Sequence, residues 1–374
     1  MKKTVIAAIA FGIFVSTLLL HSPAANAAAG TGTISQTPYL GAILVNAATG
    51  KVLFEDRADE AGYPASMVKL MDLLIVLDMV ESNVMSLDDS VKITAAASRI
   101  GGSQVYLKEN EVFTVDELLY ALIVQSANDA AVALALHVAG TKEAFVDMMN
   151  EKARELGMTR TEFHSVHGLP PARGQQPDVT TARDMTKLCI ELLRRDDVLR
   201  YTSTKERTFR PDSPTPFIMR THNHVLRDLE GCDGLKTGYF TRAGFSVAAT
   251  ATKKGARALA VVLGSEHRKV RDAKATELLS RGLAEIIRTT PAAELAKEPA
   301  ASAKPKDKPS VKPKDRVVEA GTPISGNAVP VGTVDDETIQ ISKKKIRIAG
   351  FVTLPLVAIL IGFFVQNMRR RRTI

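Results

Sequence analysis

A serine and a lysine three residues apart carry the groups needed for a nucleophile and its base. Ser66 and Lys69 stand at the start of an apolar stretch, residues 67–80, whose composition predicts a helix. At this spacing the two side chains lie on one helix face. A hydroxyl attacks only when a base takes its proton, and a lysine does this near neutral pH only when its pKa is lowered. The pair therefore predicts a serine acyl-enzyme centre.

Two further motifs follow along the chain. One lies in the apolar, helix-like residues 115–138, and the other directly precedes the strand-like residues 239–252; they are Ser126-Ala127-Asn128 and Lys236-Thr237-Gly238. Similar patterns recur at residues 342–345, inside a basic run, and at residues 325–327, within a Gly-rich and Pro-rich stretch. We interpret the first as a solvated charge run, because its surroundings are basic and would not desolvate a lysine. We interpret the second as a plain turn, because it lies after the Lys-Thr-Gly motif and beyond the Lys/Pro-rich residues 296–314.

The order Ser-x-x-Lys, Ser-x-Asn, Lys-Thr-Gly is that of the penicilloyl-serine enzymes. Longer strings accompany it: FHSVHGLP at residues 163–170, TTARDM at 180–185, and DGLKTGY at 233–239 followed by AGF at 243–245. On these residues the chain resembles the low-molecular-mass penicillin-binding proteins of the type-5 D-alanyl-D-alanine carboxypeptidase family. The similarity runs from residue 37 to about residue 282. It implies a β-lactamase/transpeptidase-like α/β (α+β) fold, with an antiparallel sheet flanked by helices and an all-helical lobe.

The resemblance also implies a role for each motif residue. Ser66 would be the acyl-ester nucleophile that attacks the penultimate D-alanine carbonyl, and Lys69 the general base. Burial and the positive field of Lys236 are the two available causes for a lowered Lys69 pKa. Ser126 would relay a proton to the leaving amine, and Asn128 would hydrogen-bond the backbone of the substrate.

The remaining predicted residues would bind the substrate from the strand side. Thr237 and Arg271 would bind the terminal carboxylate, which selects a chain end over an internal bond. Lys236 and Gly238, from the same motif as Thr237, would also bind the substrate, and the backbone amides of Ser66 and Tyr239 would hold the oxyanion. The implied partners are peptidoglycan stem peptides and, as covalent inhibitors, β-lactam antibiotics. No cofactor is implied.

Three alternatives remain open. A β-lactamase shares the fold and the Ser-x-x-Lys motif, although the Glu-x-x-Leu-Asn motif with which class A enzymes deacylate does not occur in this sequence. A D,D-endopeptidase or transpeptidase differs only in its substrate or acceptor, which the motifs do not distinguish. A non-catalytic, penicillin-binding wall scaffold would typically have lost one member of the lysine and serine pair, and both are present here.

The composition is that of a globular enzyme and argues against a nucleic-acid-binding protein or a disulfide-rich fold. The chain has 374 residues, 45% of them hydrophobic and 24% charged, which is typical of a globular enzyme. Its net charge of +8 comes mostly from the region after residue 290, so a basic groove for nucleic acid is not expected. Two cysteines allow at most one disulfide, and we expect free, buried thiols.

Two pairs of closely spaced histidines raise the possibility of a metal site. They are His164 with His167 and His222 with His224. No carboxylate or cysteine completes a recognisable zinc spacing around either pair, so we expect no metal. By resemblance to the family, His167 instead fixes a turn before Gly168.

The ends of the chain indicate export and membrane attachment. Residues 1–27 combine two lysines, an apolar run and Ala-Asn-Ala, which is typical of a cleaved signal peptide, with an uncleaved anchor as the alternative. After a catalytic domain at residues 34–290, residues 291–345 form a Lys/Pro-rich linker with a short ambiguous segment. Residues 346–368 predict a transmembrane anchor rather than an interfacial helix, and the basic residues 369–374 a cytoplasmic tail. The catalytic domain would then lie outside the cytoplasmic membrane.

Secondary-structure patterns show what must position the motifs. Residues 39–46 and 51–55 predict one hairpin, and residues 245–252 and 256–263 another. Residues 115–138 predict one or two helices. We expect an α/β domain with antiparallel strands from both of its ends.

Overall fold

The computed structural model describes residues 34–295. The predicted signal peptide, the linker after residue 295, the predicted anchor and the basic tail lie outside the described residues. Nine strands are described: β1 Gly41–Asn46, β2 Val52–Asp56, β3 Ser90–Lys92, β4 Val112–Thr114, β5 Glu206–Phe209, β6 Phe217–Arg220, β7 Cys232–Phe240, β8 Gly244–Lys253 and β9 Ala256–Ser265. The α-helices are α1 Lys69–Glu81, α2 Ala95–Ser98, α3 Val115–Val124, α4 Asn128–Ala139, α5 Lys142–Glu155, α6 Ala182–Leu193, α7 Val198–Thr202, α8 Val225–Asp228, α9 Arg268–Thr289 and α10 Ala292–Leu295.

A five-stranded sheet of order β2-β1-β9-β8-β7 joins the two ends of the described chain. Both predicted hairpins form, and β1 pairs antiparallel with β9, with Ile43 opposite Val261. The expectation of antiparallel strands from both ends of the domain is confirmed, and the structure joins them in one sheet. β7 is an edge strand of this sheet, so one of its sides faces the helical part of the domain.

Helices cover both faces of the sheet. Successive side chains of a strand point to opposite faces, and accordingly Val261 belongs to a core shared with the helical lobe while Val262 packs in a second core with α9. Leu278 and Leu283 of α9 line that second core. The result is a layered α/β architecture. Among residues 34–295, no helix is both long enough and apolar enough to cross a bilayer.

Helix α1 runs through the middle of the helical lobe. Its first nine residues, 69–77, are all buried, which explains why its sequence is apolar on every side instead of amphipathic. The helix predicted at residues 67–80 begins at Lys69 and is preceded by a 3-10 turn, Ala65–Val68. Ser66 therefore lies on the turn, and Lys69 is the first residue of the helix.

Two local expectations about the motifs are wrong. Ser126 does not lie inside a helix: its φ of +60° is incompatible with a right-handed helix, and residues 125–127 separate α3 from α4. Lys236, likewise, does not precede its strand but lies within β7, and the strand predicted at residues 239–252 is divided by a turn before Gly244, whose φ is +73°. Residues 292–295, at the start of the predicted linker, form the short helix α10.

Candidate active site

The Ala65–Val68 turn presents Ser66 at the surface of a cleft while Lys69 is fully buried behind it. Lys69 Nζ lies 3.1 Å from Ser66 Oγ, within hydrogen-bond reach. Ala65 has a φ of +47°, a conformation that is uncommon for a residue with a side chain. The turn therefore gives Ser66 an orientation that a regular helix would not give it.

The surroundings of Lys69 decide where its hydrogens point. Besides Ser66 Oγ, Nζ has two partners, Asn128 Oδ1 at 2.7 Å and the carbonyl oxygen of His167 at 2.8 Å. Asn128 Nδ2 donates to the Gly101 carbonyl at 2.7 Å, which fixes the amide so that its oxygen faces the lysine. Both oxygens can only accept, so they take both hydrogens of a neutral amine. The lone pair is then left for the Ser66 hydroxyl.

Burial lowers the pKa of Lys69 to about 8, and the negative charges of Asp72, Asp178 and Asp129 oppose this shift. Lys236, which was expected to contribute, is not among the charges that shift the pKa of Lys69. Burial, followed by the charges of Lys69 and Arg271, lowers the pKa of Lys236 well below its ordinary range. Lys69 can therefore exist as the free amine at mildly alkaline pH because it is buried.

Two buried carboxylates hold the loops on either side of Lys69. Asp129, one residue after Asn128, accepts hydrogen bonds from the backbone amides of Val105 and Leu107. Asp178 accepts from the amides of residues 164 and 165 and from the Ser165 hydroxyl. These bonds fix the loops that supply the Gly101 and His167 carbonyls.

Glycines allow two segments to approach the Ser66 turn closely. A Cβ on Gly238 of β7 would lie 2.2 Å from the Pro64 carbonyl oxygen, and a Cβ on Gly168, where φ is +71°, would lie 2.1 Å from that of Ala65. Neither distance is compatible with a side chain. Gly238 and Gly168 thus bring the strand and the loop of residues 164–170 against the turn that holds Ser66.

A fixed cation lies at the other end of the cleft. Arg271, in the first turn of α9, is 2% exposed; its Nε donates to Asp272 Oδ1 at 2.8 Å and its Nη1 to the Ser246 carbonyl at 3.2 Å. Thr237 is also buried and lines the same cleft. Half-exposed Tyr239 stacks on Phe245 with ring centroids 4.1 Å apart. A guanidinium held in this way needs little reorganisation to bind an anion.

The structure brings all the sequence-predicted site residues together. One cleft of about 360 Å³ is lined by Ser66, Ser126, Thr237, Gly238, Tyr239 and Arg271. Lys69 and Asn128 lie directly behind Ser66, and Lys236 is buried in β7 between Leu235 and Thr237. Three motifs far apart in sequence therefore form one site.

Sequence reasoning missed several residues of the cleft wall. Ser103, Thr221 and His222 also line it. Burial, and next the charge of Lys236, lower the pKa of His222 to about 4, so its imidazole is neutral at physiological pH. The close spacing of His222 and His224 is a sequence feature that draws attention to His222, but it suggests a metal ligand and not a cleft-lining residue. No comparable signal marks Ser103, which follows two glycines in a loop.

His167 and the two cysteines lie outside the lining of the cleft. His167 Nδ1 accepts the amide hydrogen of Leu169 at 3.1 Å, which confirms that His167 fixes the turn around Gly168. Across residues 34–295, no three or more His, Cys, Asp or Glu side chains are grouped so as to hold a metal ion. Cys189 is buried, Cys232 is half-buried, and both are free thiols.

Comparisons with known proteins agree with this arrangement. The family model described as D-alanyl-D-alanine carboxypeptidase matches residues 33–267. D-alanyl-D-alanine carboxypeptidase DacF of Bacillus subtilis is 35% identical over 238 residues, covering 64% of this chain and 60% of the relative. DacC of Escherichia coli is 35% identical over 281 residues, covering 73% and 68%. The chain thus spans roughly two thirds of the length of these relatives.

A solved structure resembles the described fold. Penicillin-binding protein D2 from Listeria monocytogenes, in its ampicillin-bound form, superposes with a TM-score of 0.57 at 30% identity, over 64% of this chain and 95% of that one. The family match covers more than half of the chain and includes all the catalytic motifs. On this match, and with the motifs assembled in one cleft, the chain belongs to the D-alanyl-D-alanine carboxypeptidase family of penicillin-binding proteins.

Proposed function

We propose that this protein is a serine-type D-alanyl-D-alanine carboxypeptidase that removes the terminal D-alanine from peptidoglycan pentapeptides. The single observation that carries the proposal is the hydrogen-bond set of Lys69. Two acceptors take both hydrogens of its neutral amine and leave the lone pair for the Ser66 hydroxyl. Membership of the family supplies the substrate class.

In the acylation step, Lys69 Nζ takes the proton of Ser66 as Oγ bonds to the penultimate D-alanine carbonyl carbon. The developing oxyanion would accept hydrogen bonds from the Ser66 and Tyr239 amides, and the close approach of Gly238 in β7 to the Pro64 carbonyl supports this role. The amide C–N bond breaks as Ser126 gives its hydroxyl proton to the departing nitrogen and takes the proton from Lys69, so that the Lys69 amine is neutral again. D-alanine leaves, and the rest of the peptide remains as an ester on Ser66.

In the deacylation step, water adds to the ester carbonyl and the Ser66 oxygen leaves. Lys69, whose Nζ lies 3.1 Å from Ser66 Oγ, takes a proton from that water and passes it to the leaving Ser66 oxygen, which restores both the hydroxyl and the neutral amine. The products are the shortened peptide and free enzyme. The buried Arg271 and Thr237 bind the carboxylate of the leaving D-alanine during the first step.

We also propose that β-lactams acylate Ser66. A β-lactam offers a strained amide and a carboxylate, the two groups for which the cleft has partners. The similar Listeria protein was solved in an ampicillin-bound form. Acylation by the drug would use the same transfer of the Ser66 proton to Lys69.

Labelling with a fluorescent penicillin tests the nucleophile. We expect the wild-type protein to be labelled and Ser66→Ala to remain unlabelled, because no other side chain would form the ester. Ser103→Ala serves as a matched control, because it removes a hydroxyl from the lining of the same cleft but has no role in the proposed steps. A label that persists on Ser66→Ala would refute the assignment.

Mass spectrometry of muropeptides tests the reaction. Incubation with pentapeptide-containing muropeptides is expected to remove a single alanine per stem peptide. Cleavage or formation of cross-links would instead show an endopeptidase or a transpeptidase, and rapid turnover of the penicillin itself would show a β-lactamase.

We further propose that the enzyme acts outside the cytoplasmic membrane, exported by residues 1–27 and anchored by residues 346–368. The absence of charged residues from 348–365 and the basic residues 369–372 support a span with a cytoplasmic tail. A chain that ends at residue 345 should move from the membrane fraction to the soluble fraction. If it stays with the membrane, the anchor lies elsewhere.

A further inference from the structure

A second carboxylate lies close to the predicted base and has no role in the steps above. Asp72 is 1% exposed and lies three residues after Lys69 in α1, just as Lys69 lies three residues after Ser66. Residues at this spacing are neighbours on one helix face, with Cβ atoms about 5–6 Å apart. Ser66, Lys69 and Asp72 therefore form a column along one side of the first turns.

Asp72 differs from the other buried carboxylates around the site. Asp129 and Asp178 accept hydrogen bonds from backbone amides, but neither oxygen of Asp72 has a hydrogen-bond partner among residues 34–295. An unpaired buried carboxyl is costly, and it is rare unless another function retains it. Lys69 does not bond to it, because the three positions around Nζ are occupied by Ser66, Asn128 and His167. Asp72 can therefore act on Lys69 only through its electric field.

We propose that Asp72 is a positioning residue for the reaction, which holds the proton on Lys69 and so sets the pH below which acylation of Ser66 slows. This inference rests on the proposed function, in which Lys69 must be neutral to accept the Ser66 proton. A carboxylate at a distance of about one helix turn favours the ammonium form, whereas the hydrogen-bond acceptors around Nζ suit both forms.

The electrostatics of the site agree with this geometry. Among the charges that raise the pKa of Lys69 against burial, Asp72 comes first. Burial raises the pKa of Asp72 itself well above its ordinary range, and the charge of Lys69 opposes this. The other titratable groups that act on this pair or feel its charge are Asp178, Asp129, His167, His222 and Lys236.

The test is the pH dependence of the acylation rate in Asp72→Asn and Asp72→Leu, measured with a fluorescent penicillin. Removing the negative charge lowers the pKa of Lys69, so a larger fraction of the amine is neutral at a given pH. We expect the acidic limb of the profile to move to lower pH by about one unit, with acylation about tenfold faster well below the wild-type midpoint. The rate on the alkaline plateau should stay near that of the wild type.

Asp78→Asn is the matched control. Asp78 lies on the same helix and is ion-paired with Arg195 and Lys152, away from the base. Its removal changes the charge and the helix to a similar degree, but the acidic limb should not move. A limb that moves equally in both variants would contradict a specific role for Asp72.

The two substitutions at position 72 separate charge from packing. Both remove the carboxylate, so both must shift the limb in the same direction, whereas a purely structural role would change the plateau rate or the folded fraction instead. An unchanged limb in both variants would overturn the inference while leaving the labelling of Ser66 intact. If a fluorescent penicillin does not label the wild-type protein at all, the proposed function is overturned instead.

Discussion

The two ends of the cleft each contain a buried cation, and the two cations have different partners. Lys69 is surrounded by a hydroxyl, an amide oxygen and a backbone carbonyl. Arg271 is bonded to the carboxylate of Asp272 as well as to a carbonyl. Neutral acceptors stabilise the ammonium less than a carboxylate does, so burial can lower the pKa of Lys69 to about 8.

Arg271 keeps its charge although burial lowers its pKa, because the ordinary pKa of a guanidinium is so high and Asp272 opposes the shift. One end of the cleft can therefore exchange a proton near neutral pH, while the other keeps a permanent positive charge. This difference matches the two tasks of a carboxypeptidase, which must activate a hydroxyl and recognise a free carboxylate. The partner of each cation, more than its burial, indicates which task it performs.

The largest effect is expected when the proposed base, Lys69, is replaced by a side chain that keeps its positive charge. Lys69→Arg keeps the positive charge and several donors, but a guanidinium does not give up a proton in this pH range. We expect the acylation rate to fall by about 10²–10⁴-fold, the usual contribution of a general base. Stopped-flow measurement with a fluorescent penicillin checks this.

Lys236→Arg provides a control for Lys69→Arg, because it changes the neighbouring buried lysine in the same way. A loss of acylation that is as large in Lys236→Arg would mean that the site needs two titratable amines. Retention of the full rate in Lys69→Arg would show that another group activates Ser66.

Removing the permanent charge of Arg271 tests whether this end of the cleft recognises a carboxylate. Arg271→Gln would remove the charge-assisted hydrogen bond that we propose between Arg271 and the substrate carboxylate, worth about 1.5–3 kcal/mol. We expect kcat/KM for a peptide ending in a free carboxylate to fall by about 10–150-fold. A matching peptide ester that lacks this carboxylate should be affected far less, and Thr237→Val should show a smaller loss of the same kind.

The ester substrate also serves as the folding control for Arg271→Gln. A folding control is needed because Arg271→Gln takes the partner of Asp272 away. A misfolded variant would lose activity on both substrates. Equal losses on the free acid and the ester in a folded protein would remove Arg271 from carboxylate recognition.

Much of this arrangement could be predicted from sequence because the motifs are local. The spacing of Ser66 and Lys69 within one turn is enough to place their side chains together. The two hairpins consist of strand-like, apolar runs divided by short turns, so both hairpins were also predictable.

The rest depends on contacts between distant segments. Ser126 was expected inside a helix because its flanks are apolar, and only its positive φ shows that the chain turns there. The carbonyl of His167 contacts Lys69 from 98 residues away, and Ser103 reaches the cleft through a loop tied to Asp129 and Asn128. Backbone contacts of this kind leave no pattern in side-chain type or spacing.

The dependence of the acylation rate on pH is the most direct test of whether neutral Lys69 takes the proton from Ser66. If neutral Lys69 takes the proton from Ser66, and its pKa is about 8, the rate constant for penicillin acylation should rise about tenfold per pH unit below that value and level off above it. A rate constant that does not change between pH 6 and pH 8, in folded wild-type protein, would contradict the account.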